Sequence, residues 1–377
     1  MLKKKFSLAI FYGTRPEFLK VIPLIKLIRK KYKTNIELRV VSVGQHRELL
    51  NSIEEEFDFE PDHRFKLIDE TNVLSGVYGR TIERVHEYIS IGKFDAVLAQ
   101  GDTATVFAVS LASYLNMVPF IHLEAGMRTN NKYSPFPEEI NRRLSSCVAD
   151  LHLCWTDTEK ENLIRENYRG RDIYVTGNTV IDTLLETASK TFNLNTYFGK
   201  SDLAARINNG SKVILMTEHR RENQGKGHTE IFSAVKEILK KNKNYVLVYP
   251  VHFNPNVKKL AAKTFSGVKN VFLIEPLPYT PFVKLMARSS IIITDSGGIQ
   301  EEAPSLGIPL LVTREFTERP LVISEGKAFL VGSKRSKIIS AFNQVEKEWD
   351  YKSRKNPYGD GKSAERIVNI LIDRYGK

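Results

Sequence analysis

Residues 8–20 read LAIFYGTRPEFLK and predict a β-strand, a tight turn and a helix in direct succession. The apolar run Leu8–Tyr12 is typical of a buried strand. Gly13 permits a tight turn, Thr14 can cap the following helix, and Pro16 suits its first turn. The N-terminus of such a helix favours phosphate, although an ordinary capped helix would use the same turn residues.

Apolar strand-like runs alternate with amphipathic helical stretches along almost the whole chain, which predicts parallel sheets covered by helices. In the first half the predicted strands are Leu8–Tyr12, Leu38–Val43, Ala96–Ala99, Pro119–His122, Leu151–Cys154 and Ile173–Val175. In the second half they are Val213–Met216, Tyr245–Tyr249, Val271–Ile274, Ile291–Thr294 and Pro309–Val312. Helical spacing is visible at Pro16–Lys31, Val73–Ile91 and Asp157–Glu166.

The alternation pauses over a polar stretch that contains Asn, Gly and Ser residues and then restarts. The predicted fold class is therefore α/β, with two Rossmann-like doubly wound domains. We predict an N-terminal domain at 1–190, a linker at 191–211, a C-terminal domain at 212–361 and a last helix at 362–377 that crosses back onto the first domain. Folds of this kind bind ligands in the inter-domain cleft, outside the carboxyl ends of their strands.

The formal net charge of +12 suits a nucleic acid, a membrane surface or an anionic small substrate. The lysines and arginines are scattered, and neither an RNA-binding aromatic signature nor a zinc-finger spacing accompanies them. No stretch approaches the roughly 18–20 apolar residues of a membrane span. We expect a lysine-rich solvated surface in which a few cations serve an anionic substrate, with no nucleic-acid or membrane partner.

The basic N-terminus leads into an apolar run, as in a signal peptide, but that run is short and lacks a cleavage site of small residues. Cys147 and Cys154 lie seven residues apart, which fits neither a disulfide framework nor a common zinc spacing. We therefore expect buried thiols and a cytoplasmic location.

Acidic motifs follow the strands predicted in the first domain. They are Gln100-Gly101-Asp102-Thr103, His122-Leu123-Glu124-Ala125-Gly126 and, at a helix start, Pro137-Glu138-Glu139. A lone acid in a first helical turn is often only a partner of the helix dipole. Three acidic motifs in one domain, however, suggest converging carboxylates, which is one way to obtain a general base and acid near neutral pH. Arg15 and Lys20 add cations near the first turn.

The second domain shows similar motifs after its strands. His219, in Met216–Asn223, is a candidate titrating or phosphate-binding residue. The segment Thr294–Pro304 ends a strand in Ser-Gly-Gly, where glycines let backbone N–H groups approach a diphosphate, although plain turn geometry would also need them. Glu302 can accept hydrogen bonds from ribose hydroxyls, and Arg319 supplies another cation.

Together these motifs resemble the non-hydrolysing UDP-N-acetylglucosamine 2-epimerase family. The matching stretches, in family order from residue 13 to 361, are GTRPE with Lys20, QHRE, GDT, HLEAGMRT, PEEINRRL, GNTVID, HRREN, YPVH, DSGGIQEEAP, TERP and NPYGDG. The resemblance implies a glycosyltransferase-B-like pair of Rossmann domains. It also implies reversible interconversion of UDP-N-acetylglucosamine and UDP-N-acetylmannosamine, with UDP eliminated to give a 2-acetamidoglucal and then re-added.

The resemblance implies residue roles as well, and no nicotinamide or metal cofactor. The implied catalytic residues are Lys20, Asp102, Glu124, Glu138 and His219. The implied substrate-binding residues are Arg15, Arg142, Phe282, Ser296, Gly297, Gly298, Glu302 and Arg319. Residues implied for an allosteric UDP-N-acetylglucosamine site are Gln45, His46, Arg80 and His252. The family also implies a homodimer.

Departures from the family pattern leave alternatives open. Glu218 stands where small residues are common, and we assume that its side chain points away from the diphosphate. Phe316 and Leu321 flank TERP, so the sugar could be a modified one such as a diacetamido uronic acid. A hydrolysing epimerase, a glycosyltransferase of the same architecture and an idle nucleotide-sugar-binding protein are the remaining alternatives.

Overall fold

The structure is a computed structural model that describes residues 5–44, 47–65, 73–191, 193, 197–199, 201–351, 353 and 355–376. For Arg47 and Arg221 it describes the backbone alone. The chain divides into two compact units, 1–183 with 358–377, and 184–357.

The first unit alternates strands and helices from its start. Its strands are β1 Phe6–Tyr12, β2 Ile36–Ser42, β3 His63–Arg64, β4 Ala96–Gln100, β5 Phe120–Leu123, β6 Ala149–Cys154 and β7 Ile173–Val175. Its helices are α1 Arg15–Leu27, continued by a π-helical turn Ile28–Tyr32, then α2 Arg47–Glu56, α3 Leu74–Gly92, α4 Ala104–Leu115, α5 Glu138–Val148 and α6 Asp157–Arg165. The helix α7 Val180–Ser189 runs across the boundary between the units.

The strands of the first unit form one parallel sheet in the order β3-β2-β1-β4-β5-β6-β7. The order reverses between β1 and β4, the switch point at which doubly wound sheets bind ligands outside the carboxyl ends of their strands. Apolar side chains of the sheet pack on α3 and α4 through a buried cluster that includes Phe11, Val85, Val97 and Val109. The loops after β1, β4 and β5 therefore leave a well-packed sheet at one common edge.

The second unit repeats this architecture. Its strands are β8 Lys212–Thr217, β9 Tyr245–Pro250, β10 Val271–Ile274, β11 Ile291–Thr294, β12 Leu310–Val312 and β13 Ala328–Leu330. Its helices are α8 Asp202–Asn208, α9 Lys226–Lys241, α10 Pro255–Phe265, α11 Tyr279–Ala287, α12 Gly297–Glu302, α13 Pro320–Ser324 and α14 Arg335–Glu348. The parallel sheet has the order β10-β9-β8-β11-β12-β13, with its switch point between β8 and β11.

The last helix, α15 Ser363–Tyr375, belongs to the first unit. The Asp182 carboxylate accepts hydrogen bonds from the backbone N–H groups of Ser363 and Ala364, at 3.3 and 2.9 Å, and so caps this helix. At its other end the ring of Tyr375 stacks on Phe6 of β1, with 5.1 Å between ring centroids. The chain thus returns to the sheet in which it began.

The predicted α/β class is confirmed by the two parallel sheets. Helix α8 lies within the segment predicted as a linker, and the predicted domain bounds remain a prediction. The expectation of two buried thiols is wrong for Cys147, which is exposed, while Cys154 is buried. No helix in the described ranges combines the length and apolar character that crossing a membrane requires.

Candidate functional site

Two predicted catalytic residues of the first unit form an ion pair. Lys20 Nζ lies 2.6 Å from Glu124 Oε2, and the two side chains are 13% and 9% exposed. The Gln100 amide donates a hydrogen bond to the same carboxylate oxygen. Lys20 Nζ also lies 4.7 Å from the centre of the Trp155 ring. Helix α1 and the ends of β4 and β5 therefore bring one cation and one carboxylate together in a nearly closed environment.

The backbone at Glu124 adopts a conformation that non-glycine residues rarely use. Its φ is +70°, in the left-handed region, and its N–H donates to the Leu153 carbonyl of β6 at 2.9 Å. Such a conformation costs about 1–2 kcal/mol and persists where the surroundings enforce it, often at functional sites. Two residues later Gly126 has φ +90°, and a Cβ there would lie 2.3 Å from the Glu159 carbonyl oxygen. The chain turns sharply after β5, and this turn aims Glu124 at Lys20.

Asp102, after β4, is fixed by residues of helix α5. The Arg142 guanidinium donates two hydrogen bonds to Asp102 Oδ2, and Asn141 Nδ2 donates to the Asp102 backbone carbonyl at 2.8 Å. No described residue donates to the other oxygen, Oδ1, and the side chain is 24% exposed. Arg142, which we predicted to bind substrate, is thus a partner of Asp102 and also lies 3.4 Å from Glu139. The arrangement fits a carboxylate that is paired with a cation through one oxygen and has the other oxygen open for proton transfer.

Glu138 begins α5, the helix whose Asn141 and Arg142 bond to Asp102. Burial first, and then the negative charges of Glu138 and Asp102, raise the pKa of Tyr78, whose hydroxyl donates to Asn141 Oδ1 at 2.8 Å. The charges of both carboxylates therefore act on one phenol. Glu138 Oε2 is buried and has no hydrogen-bond partner among the described residues. Lys20, Asp102, Glu124 and Glu138 thus belong to two adjacent groups at one edge of the sheet.

Glu17 is a buried carboxyl beside this site that the sequence analysis did not single out. It accepts hydrogen bonds from the backbone N–H groups of Gly13 and Thr14, at 2.5 and 3.1 Å, and from the Thr103 hydroxyl. Burial, opposed by these hydrogen bonds and assisted by the charge of Asp102, raises its pKa to about 7. The spacing Thr14-x-x-Glu17 is a capping box and could have identified it. Glu17 ties the loop after β1 to the loop that carries Asp102.

His122 lies in β5 and serves the scaffold. Its Nε2 is 2.8 Å from the Gly101 carbonyl, and burial lowers its pKa to about 4. The neutral ring therefore donates from Nε2 and holds the loop before Asp102. Arg15 begins α1 and is half-buried.

In the second unit, the glycine-rich turn lies beside a predicted cationic residue. A Cβ built at Gly297 would be 3.8 Å from the Arg319 guanidinium. That guanidinium is held by Glu301, with Nε and Nη2 at 2.8 and 2.7 Å from Oε1. Gly297 and Gly298 open α12 directly after Ser296, so their backbone N–H groups and Arg319 provide donors for an anion in one place.

The remaining predicted nucleotide residues lie on the neighbouring elements. Phe282 is half-buried on α11. On the same helix the Tyr279 hydroxyl donates to Glu302 Oε1 at 3.1 Å, and Glu302 is 7% exposed. Glu302, predicted to accept from ribose hydroxyls, is therefore already oriented by a tyrosine of α11.

His219 follows β8, and the buried carboxylate of Asp295 fixes it. Its Nδ1 is 2.6 Å from Asp295 Oδ1, and its side chain is 39% exposed. Glu218, assumed to point away from the diphosphate, is fully buried and accepts hydrogen bonds from Thr313 Oγ1 and Asn223 Nδ2. Its carboxyl lies in the unit interior, next to Asp295.

The acids Glu218 and Asp295 also form, with His228, the kind of group that could hold a metal ion. One ligand atom from each residue lies within 4.8 Å of the others. However, both oxygens of Glu218 accept protein hydrogen bonds, and both oxygens of Asp295 face donors of His219 and Arg220. Within the described ranges two ligand atoms of this group, His228 Nε2 and Asp295 Oδ1, have no hydrogen-bond partner, although Asp295 Oδ1 lies 2.6 Å from His219 Nδ1. A cation would have to displace these donors, so the group fits a hydrogen-bonded network better than a metal centre.

Two of the predicted allosteric residues can be located. Arg80 is half-buried on α3, two residues after Tyr78. His252 is exposed after β9, and its ring centroid is 6.1 Å from that of His219. Gln45 and His46 lie outside the described residues.

Comparison with known proteins extends these observations to the whole chain. A model of the family described as UDP-N-acetylglucosamine 2-epimerase matches residues 29–372. The UDP-N-acetylglucosamine 2-epimerase of Bacillus subtilis is 41% identical over 377 residues, which cover 99% of this chain and 97% of that protein.

Solved structures are similar as well. The Neisseria meningitidis UDP-GlcNAc 2-epimerase bound to UDP-GlcNAc is 41% identical with a TM-score of 0.85, over 97% of this chain and 99% of that one. The Methanocaldococcus jannaschii UDP-GlcNAc 2-epimerase in complex with UDP-GlcNAc and UDP is 31% identical with a TM-score of 0.75, over 98% of this chain and 100% of that one. These likenesses confirm the predicted glycosyltransferase-B-like architecture. A match across most of the chain, together with this identity and shared fold, places the chain in the UDP-N-acetylglucosamine 2-epimerase family.

Proposed function

We propose that this isomerase reversibly interconverts UDP-N-acetylglucosamine and UDP-N-acetylmannosamine without hydrolysing the nucleotide sugar. The observation that carries the proposal is the pairing of Lys20 with Glu124 and of Arg142 with Asp102 at adjacent strand ends, in a chain of this family. Both pairs present a carboxylate whose charge is balanced by a fixed cation. Such groups can take and return a proton without a cofactor.

The chemistry follows from what the C2 proton needs. That proton is weakly acidic, so its removal is coupled to departure of UDP from C1, which gives 2-acetamidoglucal and UDP. Re-addition of UDP with delivery of a proton to the opposite face of C2 completes the inversion. The reaction therefore needs one carboxylate as base and another acid on the other face, and Asp102, Glu124 and Glu138 are the candidates.

We assign UDP binding to the second unit. Arg319 and the N–H groups that follow Ser296 suit the diphosphate, and His219 adds an exposed imidazole. Phe282 is assigned to the uracil and Glu302, oriented by Tyr279, to the ribose. Stabilising the departing diphosphate is the main electrostatic task of these groups, because UDP gains negative charge as the C1–O bond breaks.

We also propose regulation by a second UDP-N-acetylglucosamine molecule bound through Gln45, His46, Arg80 and His252. The proximity of the His252 and His219 rings supports this regulation, because a ligand that moves His252 would also shift His219, which we assign to the diphosphate. The expected sign is sigmoidal kinetics or a lag when the reaction starts from UDP-N-acetylmannosamine. Free thiols at Cys147 and Cys154 support a reducing, cytoplasmic location.

The test is proton NMR of the purified protein with UDP-N-acetylglucosamine in deuterium oxide, without added metal or nicotinamide. We expect UDP-N-acetylmannosamine that carries deuterium at C2. Free N-acetylmannosamine and UDP would show a hydrolysing enzyme instead. Absence of both exchange and turnover would reject this substrate, and diacetamido uronic acid substrates would then be tried.

A further inference from the structure

The loop after β8 is pinned to the end of β11 by a single buried carboxylate. Asp295 is fully buried, and its Oδ2 accepts hydrogen bonds from the backbone N–H groups of His219 and Arg220, at 2.8 and 2.7 Å. Its Oδ1 lies 2.6 Å from His219 Nδ1. Because an ionised carboxylate can only accept, this close contact favours a proton on His219 Nδ1. The contact therefore favours one ring orientation and one tautomer.

A second carboxyl lies behind the first. Glu218 is 1% exposed and is surrounded by neutral donors: Thr313 and Asn223 donate to its two oxygens. Tyr249 donates to its backbone carbonyl at 3.2 Å, and His228 Nε2 lies 4.0 Å from Oε2.

Ionising both of these neighbouring carboxyl groups in the protein interior would have a high free-energy cost. Burial, and next the charge of Asp295, raise the pKa of Glu218 well above its usual range. For Asp295 burial acts in the same direction, but hydrogen bonds from His219 and the backbone outweigh it and lower the pKa. Of the two acids, Glu218 therefore holds a proton more readily and Asp295 carries the negative charge more readily.

We propose that Asp295 and Glu218 are positioning residues for His219: Asp295 holds the imidazole by Nδ1, and Glu218, bonded to Thr313 and Asn223 behind it, supports the loop that carries His219. This assignment goes beyond the proposed function and rests on it for the role of His219 at the diphosphate. With Nδ1 engaged, Nε2 is the ring nitrogen left for the ligand.

Nitrogen-15 NMR of the histidine-labelled, ligand-free protein tests the geometry without any turnover. We expect His219 to appear as the Nδ1–H tautomer at high pH in the wild type. In Asp295→Asn the amide cannot accept at both positions, so the tautomer preference should be lost. A wild-type His219 protonated at Nε2 would overturn the proposal, even if Asp295→Asn fails to fold.

Kinetics with UDP-N-acetylglucosamine test the consequence. Asp295→Asn should lower kcat by about 10- to 100-fold with a smaller change in KM, because the correct tautomer is lost. Glu218→Leu should lower kcat and shift its pH profile, and Glu218→Gln, a neutral isostere of the protonated acid, should restore most of the activity. Glu346→Gln is the matched control, since Glu346 is bonded by Tyr245 at the opposite end of the same sheet.

Two results would count against the network. Equal losses in Glu218→Gln and Glu218→Leu would mean that Glu218 acts as an anion. Stoichiometric metal in the purified protein that disappears in His228→Gln would assign the cluster to a cation. An inactive wild type with the expected His219 tautomer would reject the proposed reaction while leaving the network intact.

Discussion

At the residue scale, the two acids whose charges act on Tyr78, Asp102 and Glu138, differ in how they are held. Asp102 has one oxygen fixed by Arg142 and the other open, while Glu138 Oε2 is buried without a described partner. We infer that Asp102 is the base that removes the C2 proton and that Glu138 acts on the other face.

Asp102→Asn should therefore reduce deuterium wash-in at C2 of UDP-N-acetylglucosamine by about 10²–10⁴-fold. Glu138→Gln should slow net epimerisation but retain exchange into the starting sugar. The measurement is C2–H loss by NMR in deuterium oxide, with UDP binding as a control for folding. Normal exchange in Asp102→Asn would transfer the role of base to another carboxylate.

Glu17 makes the stability of the first unit depend on pH. Its pKa is about 7 in the fold and about 4.3 in an unfolded chain, so the folded state binds this proton more tightly. The stabilisation from protonated Glu17 is fully present below about pH 4.3, declines as pH rises and is gone above about pH 7.

Glu17→Gln removes this titration and keeps the capping-box geometry. The free energy of unfolding of the wild type should decrease when the pH is raised from 5 to 7.5. In Glu17→Gln this decrease should be smaller by about 1–3 kcal/mol. Urea unfolding at the two pH values measures the difference. Glu159→Gln, in the capping box of α6, is the matched control. Identical pH dependence in wild type and Glu17→Gln would contradict the raised pKa.

At the scale of elements, the turns after β4 and β5 use glycine for different reasons. Gly101 and Gly126 both have positive φ, at +92° and +90°. An added Cβ meets nothing within 4 Å at Gly101 but lies 2.3 Å from the Glu159 carbonyl oxygen at Gly126. Backbone strain is common to both positions, and the clash is confined to one.

Gly101→Ala should lose about 1–2 kcal/mol of stability from the left-handed conformation alone. Gly126→Ala should lose clearly more, because α6 must also move away from the turn after β5. Thermal and urea unfolding of the two variants give the comparison directly. Similar losses of stability in the two variants would mean that the turn after β5 can change its conformation without moving α6.

Strand positions were predictable because buried parallel strands are continuous apolar runs. Ile173–Val175, Val271–Ile274 and Ile291–Thr294 were predicted with their observed bounds. Strands β3 and β13 were not predicted: His63–Arg64 is too short and polar to form an apolar run, and Ala328–Leu330, an apolar run as short as β7, was missed. Their pairing is set by the neighbouring strand rather than by their own pattern.

The site was predictable to a lesser depth. Motifs after strands located Lys20, Asp102 and Glu124, because the ends of parallel strands share one edge of the sheet. The pairing of Lys20 with Glu124 and of Arg142 with Asp102 depends on side-chain geometry between a helix and a turn that are far apart in sequence. The local sequence also could not predict that Glu218 is buried or that it accepts a hydrogen bond from the distant Thr313.

At the scale of the whole molecule, exposed apolar side chains of the first unit lie on three consecutive helices that pack on one another. Ile91 on α3 is 74% exposed, Tyr114 and Leu115 on α4 are 63% and 54% exposed, Met117 just after α4 is 92% exposed, and Leu144 on α5 is 45% exposed. Apolar surface of this kind is costly in water and typical of an interface. We propose that it belongs to the homodimer contact.

The wild type should therefore elute in light-scattering chromatography at twice the chain mass of 43.0 kDa. Leu115→Lys combined with Met117→Lys should produce monomers, because the interface would bury two unpaired cations from each protomer, at a cost of several kcal/mol per charge. Ile164→Lys, on α6 of the same unit and 46% exposed, is the control and should remain dimeric. A dimeric double variant would place the interface elsewhere. A monomeric wild type at micromolar concentration would contradict the homodimer itself.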